Sequence, residues 1–158
     1  MKRISKDAYY LEIAQAVSQR STCLKRRYGA VIVKNDEIIA TGYNGAPRGE
    51  TNCCDVGFCK RLDKPSNSGD YSDCHSVHAE QNAIISASRS EMLGATMYLY
   101  GEQLEYFPYC PPGTKLETAV HPVWTQLTAP EPCPICRRMI ANAGIIRVVT
   151  PDKCSDDE

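Results

Sequence analysis

Val77-His78-Ala79-Glu80 and, further along the chain, Pro132-Cys133-Pro134-Ile135-Cys136 decide how this sequence is read. Together they supply one imidazole, a carboxylate two residues from it, and two thiols about one helical turn apart. Each stretch also carries a helix-start signal: Ser76 can cap a helix from about Val77 to Ser88, and Pro134 suits a first helical position. Exposed N–H groups at such a start favour thiolate over thiol. His78, Cys133 and Cys136 as zinc ligands leave a fourth tetrahedral position for water, the arrangement of a catalytic rather than a structural zinc. Glu80 cannot easily join the same metal while that position stays open, so its better role is proton shuttle. Cys-x-x-Cys alone would more often mean a closed zinc knot or a redox pair. The coincident His-x-Glu, the Pro before Cys133 and the two helix starts argue against both.

Working outward, Ser5 can cap a first helix with Tyr10, Leu11, Ala14 and Val17 at helical spacing, ending near Gln19. Ala30 to Lys34 and Glu37 to Tyr43 are β-rich runs split by Asn35-Asp36, which predicts a hairpin. Gly42 to Ser76 is rich in Gly, Asn, Asp, Pro and Cys and reads as a long functional loop. Thr96 to Tyr100 is a short strand. Gly101 to Glu131 has neither period and reads as an irregular insertion, with Tyr106, Phe107, Tyr109 and Trp124 as its aromatic residues. A helix from Pro134 to about Ala143 is stopped by Gly144, Ile145 to Val149 is a last strand, and 151–158 reads as a disordered acidic tail. Strands joined by helical crossovers imply a mixed sheet flanked by helices in one domain, 1–158.

The chain has 158 residues, net charge −1 and nine cysteines. Near-neutral charge gives no global attraction to nucleic acid or an anionic membrane, and no apolar run reaches the ~18 residues of a spanning helix. The polar start Met1-Lys2-Arg3-Ile4-Ser5 is unlike a signal peptide, so a cytoplasmic protein is expected. An odd cysteine count with metal-like spacing there suggests zinc rather than a disulfide framework.

Beyond the two decisive stretches, the chain carries Arg20-Ser21-Thr22-Cys23, Tyr28-Gly29-Ala30-Val31, Thr41-Gly42-Tyr43-Asn44-Gly45, Asn52-Cys53-Cys54-Asp55 and His78-Ala79-Glu80-Gln81-Asn82-Ala83-Ile84. H-x-E with P-C-x-x-C is the known signature of zinc deaminases, and with these stretches the sequence resembles the deoxycytidylate (dCMP) deaminases of the cytidine deaminase superfamily from about Ala8 to Val149. The resemblance implies a three-layer α/β/α sandwich around a mixed five-stranded sheet. It also implies zinc-dependent hydrolysis of dCMP to dUMP for thymidylate synthesis and, in many such enzymes, a hexamer activated by dCTP and inhibited by dTTP. Mg2+ would enter only with such triphosphates. The partners expected are a pyrimidine nucleotide and further copies of the chain. Carried over by motif, His78, Cys133 and Cys136 hold the zinc, Glu80 shuttles the proton, and Asn44 bonds the sugar hydroxyl. A monophosphate also needs a local cation, and Lys25 and Arg27 are the choices among Arg20, Lys25, Arg26 and Arg27. The bland readings are a solvated basic turn for the cations and a plain turn residue for Asn44.

Some deaminases of this type carry a second zinc, and Cys23 and Cys53 fall on its two cysteine positions. His75 is a displaced candidate for its histidine, and Cys59, Cys74 or Cys54 would have to complete the set. The sequence departs from the family in two further ways. The 101–131 insertion could be a lid, an oligomer contact, a pocket for another base, or a local apolar cluster. The chain also stops soon after Val149, where relatives often add a strand and a helix. A deaminase of another nucleoside, of guanine or of a tRNA adenosine therefore stays open, as does a catalytically silent zinc module that binds nucleotide or a partner protein.

Overall fold

The structure, a computed structural model, describes residues 3–62, 64–65, 71–105 and 123–154. Helix α1 (Lys6–Ser18) starts where the Ser5 hydroxyl accepts the Ala8 N–H at 3.1 Å. Strands β1 (Arg26–Lys34) and β2 (Glu37–Tyr43) form the predicted hairpin. Its turn places both Asn35 and Asp36 at positive φ (51° and 64°), the two-residue geometry whose twist matches the strands. After the short helix α2 (Cys53–Val56) come α3 (Ala79–Ile85), α4 (Arg89–Met92), β3 (Thr96–Leu104), β4 (Trp124–Gln126), α5 (Pro134–Ala143) and β5 (Arg147–Val149).

The sheet is mixed and five-stranded, with β1 antiparallel between β2 and β3. The far edge of β3 is shared, its first half pairing parallel with β5 and its second half antiparallel with β4. One face buries Val31, Val33, Tyr98 and Tyr100 against Tyr10, Leu11 and Ala14 of α1. The other buries Ala30, Ile32, Met97 and Leu99 against Ala79 and Ala83 of α3 and Ile140 of α5. This is the α/β/α sandwich expected, its strands following period two and its helices their apolar stripes.

Several boundaries differ, β1 beginning at Arg26 instead of Ala30 and β5 at Arg147 instead of Ile145 among them. The helix predicted for 77–88 is shorter, because His78 is its cap and Ser86 its C-cap. The stretch 101–131 is not irregular throughout, since β3 continues to Leu104 and pairs with Trp124–Gln126 of β4. Leu104, Trp124 and their neighbours are a strand pair that lacks a long apolar alternation, so no periodicity announces it. Tyr106, Phe107 and Tyr109 lie outside the described residues. Of the supposed tail, Pro151–Lys153 form a 3-10 turn, and 155–158 are likewise outside the described residues. Among the described residues no helix is long and apolar enough to cross a membrane.

What positions the site is the close docking of α3 on β2. A Cβ on Gly42 would stand 2.3 Å from both the Ala79 carbonyl oxygen and the Ala83 nitrogen, so only glycine admits this approach. The Asn82 side chain fastens the helix by donating to the Tyr43 carbonyl at 2.7 Å. Just upstream, Gly45 and Val77 exchange two backbone hydrogen bonds (3.1 and 2.8 Å) and fix the chain leading into His78. Gly42→Ala is expected to destabilise the fold by about 1–3 kcal/mol through overpacking against backbone that cannot yield. Denaturant unfolding of the purified variant measures this, and a stability equal to wild type would disprove the docking argument.

Candidate active site

Two helix starts meet at one point. His78 caps α3, its own N–H donating to the Gln81 side chain at 2.9 Å. Cys133 caps α5, its sulfur accepting the Cys136 N–H at 3.4 Å, with Pro134 in the first turn as the sequence predicts. His78 Nδ1 lies 3.6 Å from Cys133 Sγ and 3.4 Å from Cys136 Sγ. Among the described residues these are the only three metal-type donors that all fall within 4.8 Å of one another.

The donor set fits zinc. Ordinary zinc–nitrogen and zinc–sulfur bond lengths at a tetrahedral angle imply a nitrogen–sulfur separation of about 3.5 Å, close to both measured spacings. Burial lowers the His78 pKa and so keeps its ring neutral, the form a ligand needs. The Cys136 thiol, fully buried, is held well above its usual value, first by burial and next by the Glu80 charge. Zinc uptake must expel protons from such thiols, so affinity should rise with pH and fall on acidification. Dialysis at graded pH followed by metal analysis checks this, and Cys133→Ala is expected to hold one equivalent fewer than the wild type at every pH. A zinc content equal to wild type in that variant, or undiminished in acid, would refute the assignment.

Glu80, in the first turn of α3, is only 5% exposed and lines the same cleft as His78 and Cys133. Burial pushes its carboxyl above the ordinary carboxylate range, opposed by its own N–H and by a hydrogen bond with the Cys136 thiol. A buried carboxylate beside a metal-type donor set is an expensive arrangement for stability alone and a common one for proton transfer.

Asn44 also lines the cleft, buried at the end of β2. Its Oδ1 accepts from the Ser21 hydroxyl (2.8 Å) and the Tyr28 N–H (2.7 Å), and its Nδ2 donates to the Arg26 carbonyl (2.9 Å). It therefore knits the start of β1 to the loop.

The cations chosen for the phosphate are placed elsewhere. Strand alternation turns Arg27 to the α1 face, where it stacks on Trp124 at 3.7 Å and donates to Gln19 at 3.2 Å. Lys25 Nζ donates to the carbonyls of Arg61 (2.6 Å) and Lys64, gripping the long loop instead of facing the cleft. Among the described residues the cation that lines the cleft is Arg61, 6% exposed, its guanidinium 5.1 Å from the centre of the Tyr71 ring and donating to the Pro65 carbonyl at 3.4 Å. Tyr71 in turn meets the His78 ring edge-on at 5.4 Å. Sequence reasoning missed both. The same loop also holds Phe58, Arg48, Lys60 and Lys64, so no signal in the sequence singles out Tyr71 and Arg61.

Of the thiols considered for a second metal, Cys23 and Cys74 line the cleft. The Cys54 N–H donates to the Thr22 carbonyl at 3.2 Å, laying α2 beside the start of β1. Burial, followed by the facing charges of Cys23, Cys59 and Cys74, pushes Cys53 up to about 11. His75 is exposed, so the side chains facing Cys53 are thiols rather than that imidazole.

The sandwich with a His/Cys/Cys centre and an adjoining buried glutamate defines the class as a zinc-binding deaminase domain. Comparison agrees: residues 4–151 match the family model for the cytidine and deoxycytidylate deaminase zinc-binding region. A deoxycytidylate deaminase of Mycobacterium phage D29 is 36% identical over 157 residues, covering 96% of this chain and 98% of that protein. One from Schizosaccharomyces pombe is 46% identical over 99 residues, but that is 62% of this chain and only 30% of the yeast protein. The chain thus spans under a third of the yeast relative's length. A crystal structure of the cyanophage S-TIM5 dCMP deaminase with dCMP and dUMP superposes with a TM-score of 0.58, at 26% identity over 95% of this chain and 83% of that one. The chain belongs to the cytidine and deoxycytidylate deaminase family.

Proposed function

We propose that this protein deaminates dCMP, adding water and releasing dUMP and ammonia. The observation that carries the reading is the buried Glu80 carboxylate beside the three donor atoms of His78, Cys133 and Cys136. Zinc held by those three would make a water-derived nucleophile available near neutral pH. Glu80 accepts the proton of the water that attacks C4 of the cytosine ring and delivers it to N3. It then helps the amino group leave as ammonia while the C4 carbonyl of uracil forms. A carboxyl whose pKa is raised by burial is suited to holding that proton between the two transfers. The remaining N–H of Asn44 Nδ2 faces a sugar hydroxyl in this reading. The similarity to phage deoxycytidylate deaminases along almost the whole chain favours the nucleotide over a free base or a tRNA adenosine.

Glu80→Gln is expected to keep its zinc and lose roughly 10²–10⁴-fold in turnover. An ultraviolet assay with dCMP, CMP, deoxycytidine, dCTP and guanine side by side, together with metal analysis, checks both halves. Normal turnover by that variant would refute the shuttle role, and a preference for guanine or for deoxycytidine would refute the substrate. We place the protein in the cytoplasm as a homo-oligomer of one deaminase domain, 1–158, in which the 101–131 segment is an elaboration.

A second, structural zinc is part of the same reading. Cys23 and Cys53 would hold it with Cys59 and Cys74, whose charges bear on both, whereas His75 faces solvent; the ion would draw together sulfurs that do not stand within 4.8 Å of one another as the His78 set does. Polar loop residues alone bury too little to order the 44–76 segment, and metal binding supplies the missing folding free energy. Metal analysis is expected to give two zincs per chain and one in Cys53→Ser. One zinc in the wild type would remove this site.

A further inference from the structure

We propose that Arg61 is the residue that selects a 5′-monophosphate, its guanidinium pairing with the phosphate of a nucleotide laid along Tyr71. The inference deepens the reading above and rests on it.

Three elements of the cleft adjoin one another through Tyr71. One is the set of His78, Cys133 and Cys136 donor atoms with Glu80. The second is the Tyr71 ring, edge-on to the His78 imidazole (5.4 Å, 74°). The third, the Arg61 guanidinium, lies 5.1 Å from the centre of that same ring. The same aromatic ring thus touches both the donor set and the cation, and a nucleoside monophosphate likewise carries its base and its phosphate on one sugar.

Arg61 suits this task better than the neighbouring cations. It is a cleft-lining cation and almost fully buried, so an ion pair formed there is little screened by water. A guanidinium is a planar fork that matches two phosphate oxygens at once. Its backbone is held, because Lys25 Nζ donates to the Arg61 carbonyl at 2.6 Å and to that of Lys64. Lys25 is therefore a positioning residue, acting through Arg61. Burial first, and then the charges of Arg26 and Arg61, lower the Lys25 pKa, so positive charge gathers behind this wall of the cleft.

The test uses full-length, zinc-loaded wild type, Arg61→Ala and Arg61→Lys, with zinc content and thermal unfolding measured on each. Calorimetry gives affinities for dUMP and deoxyuridine, and steady-state assays give dCMP and deoxycytidine kinetics. Arg61→Ala is expected to reduce the preference for dUMP over deoxyuridine by about 10- to 100-fold, the worth of a charge-assisted hydrogen-bond pair. Its KM for dCMP should rise by more than its kcat falls, and Arg61→Lys should recover part of the preference. A preference unchanged in Arg61→Ala, or dUMP and deoxyuridine weakened equally, overturns the proposal. Should Arg61→Ala not fold, Arg61→Lys decides: a preference lowered several-fold supports the proposal and a wild-type preference overturns it. A wild type that turns over no cytosine compound overturns the parent reading instead, which keeps the two failures distinct.

Discussion

The structure depends on how closely one short helix lies against one strand. Gly42 has no side chain, so the backbone of α3 comes down onto β2 at Ala79 and Ala83. That contact sets the height of His78 and Glu80 above the sheet. Across from them, α5 begins with a cysteine as its own cap and a proline behind it, which sets Cys133 and Cys136. Packing and hydrogen bonds support both helix starts, and the three donor atoms stand at tetrahedral spacing. The cost of burying Glu80 is met by the same apolar packing that fixes its position.

The two faces of the sheet divide the work. The α1 face is a packing face, closed by Asp7, which holds Arg147 through both carboxylate oxygens (3.0 and 2.5 Å) and accepts from the Tyr98 hydroxyl. First helix, third strand and last strand are joined there. The α3 face carries the chemistry, and the Gly45–Val77 bridge and the Lys25 grip on Arg61 tie the described parts of the following loop to it. A side chain's role follows from the face it is given. Arg26 meets the Tyr28 hydroxyl at 3.2 Å, whereas Arg27 turns to Gln19 and Trp124.

Much of this was legible in the residues because each signal was local. Ser5, Asn35-Asp36, Pro134 and Gly144 mark caps and turns whose backbone needs are met within a few positions, and the structure places each where the local chemistry puts it. The three donors and Glu80 were legible for the same reason, being tied to two helix starts. The cation lining the cleft was not. Lys25 and Arg27 were chosen by nearness in sequence, but strand alternation turns Arg27 to the α1 face and Lys25 reaches the loop carbonyls. Arg61 and Tyr71 reach the cleft only through the path of a long loop, and nothing periodic in that loop announces it. The β3–β4 pairing was hidden likewise, since three residue pairs are too few to show an alternation.

The most direct test of the central claim is anomalous diffraction at the zinc absorption edge from crystals of the zinc-loaded protein. The account predicts a zinc peak bonded to His78 Nδ1, Cys133 Sγ and Cys136 Sγ, with a non-protein fourth ligand within hydrogen-bond reach of the Glu80 carboxylate. A peak whose fourth ligand is a protein side chain, or a centre with no zinc at all, would contradict it.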